Sequence, residues 1–135
     1  MKFGSAVATT RRAKGVSQTE LASRLQVKPA RVCAIERGRS VPVSDEPVEQ
    51  IATALACSDA ERAALYRAVA YDRLMRQVRA TFRSDHQIET LSVAIEAAQE
   101  LGEQQLRTVI SRLKRLVQPA AEWNRLPTDE EAPIE

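Results

Sequence analysis

The sequence predicts an all-α protein, on three observations. Helix-forming residues such as Ala, Leu, Arg, Glu and Gln dominate, and glycine is scarce, with 4 residues in 135. Apolar residues recur every three or four positions along most of the chain, the spacing of one helix face. Neither strand-like alternation nor an internal repeat is visible. The length suits one domain, or one small domain with an extension, and the low aromatic content of 4% predicts a mainly aliphatic core.

The first three predicted helices are short and separated by only a few residues. Glycine after a helix-forming run is a common stop signal. Serine followed three residues later by Glu is a capping box that opens a helix, and proline is favoured at the first helical position. These signals place the helices at about residues 3–14, 18–25 and 29–38, with Gly15, Ser17, Glu20, Pro29 and Gly38 as boundary residues.

The same signals predict four further helices, each with an apolar stripe at helical spacing. The fourth begins after Ser44, and the fifth begins after Ser58 and reaches about Phe82. The sixth follows Ser84 and stops before Gly102. The seventh covers about residues 103–118, where Pro119 is expected to end it.

The net charge of +2 conceals an asymmetry along the chain. Residues 1–40 carry nine Lys and Arg against two acids, whereas residues 119–135 carry one Arg against five acids. A basic N-terminal part favours a polyanionic partner. The acidic, proline-containing segment 119–135 predicts a flexible tail. Charges that only keep helices soluble would give similar counts, so the counts leave this alternative open.

Several function classes are disfavoured. No stretch approaches the roughly 20 apolar residues that span a membrane, and the N-terminus lacks the apolar run of a signal peptide, so we expect a cytoplasmic protein. Cys33 and Cys57 lack metal-ligand spacing and are expected to be free thiols, with a redox switch as the alternative. His86 is the only histidine and cannot form a metal site or a catalytic triad by itself. We therefore predict no metal, no cofactor, no small-molecule ligand and no enzymatic activity.

Only residues 26–28 separate the second and third predicted helices. Such a short break forces the two helices to cross steeply, which leaves the N-terminal, positive end of the third helix protruding. Two short helices joined in this way are the helix-turn-helix arrangement, whose second helix enters the DNA major groove. The apolar residues expected between the two helices are Ala22, Leu25, Val27, Val32 and Ile35.

The segment of about residues 3–70 resembles the Cro and phage-repressor family, the XRE-type helix-turn-helix DNA-binding domains. Residue types and all the gaps between them agree together. The resemblance implies a five-helix repressor-type domain over residues 1–70, with residues 71–118 as a helical extension. The likeness is carried by Arg11, Gly15, Ser17-Gln18-Thr19-Glu20-Leu21-Ala22, Val27, Val32, Ile35-Glu36-Arg37-Gly38, Ile51, Ala54 and Leu55.

The resemblance also implies which residues contact DNA. Those that open the second helix bind a phosphate with help from the helix N-terminus, and those on the outward side of the third helix face the major groove. The implied contact residues are Gln18, Thr19, Lys28, Pro29, Ala30, Arg31, Ala34, Arg37 and Arg39.

Among these, Arg31 is the expected base reader, because Pro29, Ala30 and Ala34 have side chains that cannot form hydrogen bonds. Its natural partner is guanine, bound at O6 and N7, while the two alanines can touch thymine methyl groups. The expected phosphate contacts are Lys28, Arg37 and Arg39.

Two other positions have structural roles in the resemblance. Glu36 is expected to pair with Arg11 and to tie the first helix to the third, rather than to act as a catalytic acid. Gln26 occupies a turn position where the family often has glycine, because φ there tends to be positive.

We predict a transcriptional repressor that binds an inverted-repeat operator as a homodimer. Residues 71–118 are the expected dimerisation region, because the apolar face of the seventh helix is too broad for a lone surface helix. The alternatives are an antitoxin, whose C-terminal half neutralises a toxin while its N-terminal half autoregulates, and a non-specific architectural DNA protein. The fifth helix carries a basic stretch that consists of Arg73, Arg76, Arg79 and Arg83. These arginines could contact flanking DNA, pair with the acids of a partner subunit or simply face solvent.

Overall fold

The computed structural model describes residues 2–124, with side chains up to residue 118. Every regular element within this range is an α-helix, which confirms the predicted all-α class. The last eleven residues of the predicted acidic tail, 125–135, lie outside the described residues. The helices are α1 (Lys2–Ala13), α2 (Gln18–Leu25), α3 (Pro29–Glu36), α4 (Glu46–Ala54), α5 (Asp59–Thr81), α6 (Asp85–Glu100) and α7 (Glu103–Asn124).

The chain divides into two compact units with the boundary between Glu96 and Ala97. In the first unit, α1 packs against α5 and α3, and α2 packs against α3 and α4. Every buried apolar side chain in the described part of the chain lies between Phe3 and Met75. The largest of them are Phe3, Leu21, Ile51, Leu55, Leu65 and Met75.

Four helices of this unit end in the same left-handed turn. One or two residues after the helix the backbone has a positive φ, at Gly15 (68°), Gln26 (58°), Gly38 (74°) and Ala56 (49°). The next backbone N–H then bonds to the carbonyl five positions earlier, for example Val27 N to Ala22 O at 3.0 Å. This motif satisfies carbonyls at the helix end and reverses the chain sharply. It permits the close spacing of α1 to α4.

Three predicted helix boundaries are wrong. α3 ends at Glu36, because Gly38 supplies the left-handed turn beyond the helix and not its last residue. Asp45, not Ser44, precedes α4 at its N-terminal cap position. α7 continues through Pro119 to Asn124. Proline costs a helix about 3 kcal/mol but need not end it where helix-forming residues follow, as Ala120 does here.

Two adjacent residues of α5 bind segments that are distant in sequence, the start of α1 and the loop between α3 and α4. The carboxylate of Asp72 is fully buried and accepts hydrogen bonds from the backbone N–H groups of Lys2 and Phe3, both at 2.9 Å. It therefore caps α1 from 69 or 70 positions away. Arg73 donates to the carbonyls of Pro42 and Ser44 and to the carboxylate of Asp45, so it fixes the loop between α3 and α4.

Residues 92 and 96 of α6 make polar contacts with α1 and α5. The hydroxyls of Tyr71 and Ser92 are 2.6 Å apart. Lys2 Nζ lies 3.1 Å from a carboxylate oxygen of Glu96 and 4.1 Å from the centre of the Tyr71 ring. No side chain described in α6 or α7 is buried. Within the described residues, no helix combines the length and apolar character needed to cross a membrane.

Candidate nucleic-acid interface

The α2–α3 pair has the predicted helix-turn-helix geometry. The helices are separated by residues 26–28, and Gln26 adopts the expected left-handed conformation. Between the helices, Leu21 and Ala22 of α2 and Val32 of α3 are buried. The prediction for Val27 is wrong, because this side chain lies in the turn and is 39% exposed. The crossing is therefore held by residues within the two helices.

The start of α3 faces solvent. Lys28, Pro29, Ala30 and Arg31 are exposed, and Ala34 is half-buried one turn further on. Lys28 occupies the N-terminal cap position but makes no side-chain capping hydrogen bond. The positive end of the helix dipole is therefore uncapped and open to an anion or to a base edge.

Basic side chains around α3 have no acidic partner among the described residues, whereas Arg24 and Lys14 nearby in the sequence do. Arg24 pairs with Glu20 at 2.7 Å, and Lys14 pairs with Glu61 at 3.1 Å. By contrast, the exposed cations of the predicted DNA face make no ion pair with any described residue. They are Arg12, Lys28, Arg31, Arg37 and Arg39. Such a cluster leaves a concentrated positive charge on one surface, which attracts a polyanion.

Glu36 links three helices behind this surface. Its carboxylate accepts from Arg11 of α1, with a closest N–O distance of 2.7 Å, and from Gln18 of α2 at 3.1 Å. Arg11 is buried and also donates to the carbonyl of Val16 at 2.9 Å. The predicted Arg11–Glu36 pair is confirmed. It sets the orientation of α3 relative to α1 and α2.

Gln18 opens α2, where the resemblance implies a phosphate contact. Its amide donates to Glu36, and it lines a cleft with Arg12 and Arg37. Thr19 is exposed beside it. The phosphate roles of Gln18 and Thr19 stay predictions, but the cleft places Gln18 next to two cations without acidic partners.

Gly4 positions α1 against α3, and sequence reasoning missed it. A Cβ atom at this position would lie 2.4 Å from the carbonyl oxygen of Ile35 and 2.6 Å from that of Glu36. Only glycine permits this approach. The available signal was a glycine inside an otherwise regular helix, which usually marks close packing.

The basic stretch on α5 is split by the structure. Arg73 is occupied by the α3–α4 loop, as described above, so it is a structural residue. Arg76, Arg79 and Arg83 are exposed. The four arginines therefore do not form one functional group.

Acidic groups with perturbed pKa values lie away from the α3 surface. Hydrogen bonds from Tyr66, at 2.7 Å, and from Arg62 lower the pKa of Glu49 below its ordinary 4.5. The backbone of Ser58 and then Lys14 lower the pKa of Glu61 in the same way. These carboxylates brace α4 and α5, as the predicted Ser58–Glu61 capping box does, rather than serve a reactive site.

Comparison with known protein families decides the nature of the α2–α3 pair. Residues 2–65 match the helix-turn-helix domain family. This segment is a helix-turn-helix domain. The match runs from α1 into α5 and includes both helices of the motif and every predicted DNA-contact residue. No curated protein and no solved structure matches the chain. The helix-turn-helix domain indicates a DNA-binding regulator and agrees with the resemblance to XRE-type domains.

Proposed function

We propose that this protein is a sequence-specific transcriptional repressor that binds an inverted-repeat operator as a homodimer. The observation that carries the proposal is the surface around α3. Lys28, Arg31, Arg37 and Arg39 are exposed without an acidic partner among the described residues, beside an uncapped helix N-terminus. A helix-turn-helix domain places that end of its second helix in the major groove.

Arg31 is the proposed base reader. It lies in the first turn of α3, is exposed and makes no ion pair with a described residue. Its neighbours Pro29 and Ala30 cannot form side-chain hydrogen bonds, so direct reading of polar base edges falls on this guanidinium. A bidentate contact with guanine discriminates against the wrong base by about 1–3 kcal/mol. Ala30 and Ala34 are proposed to contact thymine methyl groups.

The remaining cations are proposed to bind the DNA backbone. Lys28, Arg37 and Arg39 flank α3, and the N-terminus of α2 adds Gln18 and Thr19. Phosphate contacts fix the position of the protein on the duplex without reading its sequence. Each neutralised phosphate steepens the salt dependence of binding by about 0.9 in the logarithmic slope.

A homodimer is proposed because one domain of this type reads only a few base pairs. Two copies double the contacts and set the half-sites about 34 Å apart. The exposed apolar face of α7, within the predicted dimerisation region of residues 71–118, supports pairing. Leu116 and Val117 on this face are 72% and 65% exposed. Repression would follow from competition with polymerase for a promoter in the cytoplasm, with the protein's concentration as the control.

The proposal is tested by titrating variants on an operator duplex and on a scrambled duplex. We expect Arg31→Ala to lower operator affinity by about 1–3 kcal/mol and to relax the preference at one base pair per half-site. Arg39→Ala should weaken binding to both duplexes and reduce the salt slope by about 1. Arg24→Ala is the matched control, since this arginine is occupied by Glu20 and by the carbonyl of Ala54. Undiminished operator preference in Arg31→Ala would contradict the proposal.

An antitoxin is the second candidate, and the uncovered face of α7 is the observation that favours it. In this case a toxin, and not a second copy, would cover Ile110, Leu113 and Leu116. Copurification of a small enzyme with the full-length chain, lost on mutation of these residues, would support the antitoxin.

A non-specific architectural protein would bind operator and scrambled duplexes with similar affinity. A regulator should favour its operator by about 10³ or more.

A further inference from the structure

The outer face of α1 forms one wall of an open cleft beside α3, with a volume of about 470 Å³. The cleft is lined on the α1 side by exposed Ser5, Thr9 and Arg12, and at the end of α3 by exposed Arg37. Neither arginine makes an ion pair with a described residue. This first cleft therefore presents two guanidinium groups and two hydroxyl groups to an anion.

The acid that lines the first cleft is already occupied. The carboxylate of Glu36 accepts hydrogen bonds from buried Arg11 and from Gln18, so its negative charge is balanced within the domain. Gln18 lines the same cleft and opens α2, where the proposed function places a phosphate contact. The first cleft is therefore positive and continuous with the proposed DNA-binding surface.

A second cleft, of about 520 Å³, lies between α1 and α5. Ser5 lines both clefts, so they adjoin on the same face of α1. The second cleft is also lined by Arg79 of α5, which is exposed and makes no ion pair with a described residue. Its other charged groups are occupied, because Lys2 binds Glu96 and the buried Asp72 accepts from backbone N–H groups of α1. The unbalanced charge of the second cleft thus belongs to Arg79.

A polyanion fits the two clefts better than a small anion does. Arg12, Arg37 and Arg79 are distributed over both clefts and do not converge on one point. Lys2 and Arg12, which lie at opposite ends of this face, are separated by about 15 Å along the axis of α1. Each strand of a duplex carries one phosphate per roughly 3.4 Å of its axis, so about four phosphates extend over this length.

We propose that the backbone of the bound DNA runs along α1 from the first cleft into the second, with Arg12 binding one phosphate and Arg79 another. This rests on the proposed function, because it takes DNA as the ligand, and it extends the interface beyond α2 and α3. Arg79 lies outside residues 2–65, which match the helix-turn-helix domain family. α5 therefore adds a DNA contact that the matched domain does not contain.

Ethylation interference tests the proposal on an operator duplex selected from a random pool. An ethyl group on a phosphate blocks binding where the protein contacts that phosphate. We expect one blocked position to become tolerant in Arg12→Ala and another in Arg79→Ala, within about five nucleotides of each other on one strand. Arg24→Ala is the matched control, because Glu20 and the carbonyl of Ala54 already occupy this arginine, and its pattern should equal that of the unmodified chain.

Salt titrations provide a second readout. Arg12→Ala and Arg79→Ala each remove one phosphate contact per copy, so the logarithmic salt slope should fall by about 0.9 for each bound copy. The loss should be equal on the operator and on a scrambled duplex of the same length, since phosphate contacts carry no sequence information. Arg79→Lys keeps the charge and should recover most of the slope. Circular dichroism verifies that each variant keeps its helical content.

The outcomes separate this proposal from the proposed function. If Arg12→Ala and Arg79→Ala both match the unmodified chain in interference and salt slope, the contact along α1 is overturned and the proposed repressor stands. A changed pattern in Arg12→Ala alone overturns the continuation to α5. An unmodified chain that binds both duplexes equally overturns sequence-specific repression, whereas the salt slopes still decide the phosphate contacts. A chain that binds neither duplex overturns both proposals.

Discussion

The helices α1–α5 and the helices α6–α7 use apolar residues in opposite ways. In α1–α5 they are buried, and Val7, Leu65 and Val69 have no exposed surface. Polar residues reinforce that packing, as Asp72 does in capping α1. In α6–α7 no described side chain is buried, although α7 has the broader apolar stripe. The comparison teaches that the apolar residues of α1–α5 are buried within one chain, whereas several in the stripe of α7 are left exposed, which is why we propose that a second copy covers them.

The largest expected effect comes from removing α7. A chain that ends after Gly102 should keep the buried core, which lies entirely in the first unit, and should remain folded. Its operator affinity should fall by about 10²–10⁴, because linked half-sites lose their effective concentration. Sedimentation and operator titration measure both properties. A chain that ends after Gln118 is the control and should retain them. A stable dimer without α7 would contradict the proposed role of α7 in dimerisation.

Two Arg–Glu pairs, one in α1–α5 and one in α7, should differ widely in their contribution to the free energy of unfolding. Glu36→Ala leaves the buried Arg11 without its partner and should cost about 3–5 kcal/mol of unfolding free energy. Glu103→Ala breaks the exposed pair with Arg107 and should cost about 0–1 kcal/mol. Urea unfolding at a concentration where the chain is monomeric gives both values. Equal costs would show that α1–α5 is not braced as described.

Two leucines make the same comparison for apolar contacts. Leu65 has no exposed surface, so Leu65→Ala should destabilise the protein by about 2–5 kcal/mol. Leu116 is 72% exposed, so Leu116→Ala should change the stability of the monomer by no more than about 0.5 kcal/mol. A weaker dimer is the expected consequence of the second change. A large loss of monomer stability from Leu116→Ala would place that residue in a core within the chain.

Two glycines extend the comparison to the backbone. Gly4→Ala introduces a methyl group within 2.4 Å of a backbone carbonyl oxygen and should cost about 1–3 kcal/mol. At Gly102 the nearest atom to an added Cβ is the flexible side chain of Gln105, at 3.8 Å. Gly102→Ala should therefore be close to neutral. Thermal unfolding of both variants gives the difference, and a neutral Gly4→Ala would contradict the close approach of α1 and α3.

The smallest effect concerns acid stability. The pKa of Glu49 is lowered by hydrogen bonds from Tyr66 and Arg62, below an ordinary value of 4.5. A lowered pKa contributes stability that is present above that ordinary value and is lost as the pH falls through the folded-state pKa. We expect urea midpoints to fall as the pH is lowered below the ordinary value of 4.5, and to fall less in Glu49→Gln. Identical pH profiles for the two proteins would exclude this contribution.

The order of the helices was predictable because local signals specify it. Serine caps, Pro29 and two glycines lie near the ends of the helices, where local backbone chemistry acts. One of the three errors arose where an interaction with a distant residue prevails. Arg73 fixes the loop before α4 and binds Asp45, which a local cap signal at Ser44 does not reveal. Pro119 was expected to end α7, which continues through it.

Two features of the candidate site were predictable from the resemblance, and both are confirmed. They are the Arg11–Glu36 pair and the left-handed conformation of Gln26. Asp72 and Gly4 were missed, since their roles depend on segments distant in sequence. The cap that Asp72 makes 70 positions from Lys2 leaves no periodic pattern in the sequence, and neither does the close approach of Gly4 to α3. The DNA contacts themselves stay predictions, because they depend on a partner molecule.

Selection of bound sequences from a random pool of DNA duplexes tests the central claim most directly. The full chain should enrich an inverted repeat with half-sites centred about 34 Å apart, roughly one helical turn of DNA. Each half-site should contain a guanine whose enrichment disappears when the selection is repeated with Arg31→Ala. A pool that shows no enriched sequence would contradict sequence-specific binding, and an enriched site without two-fold symmetry would contradict the homodimer.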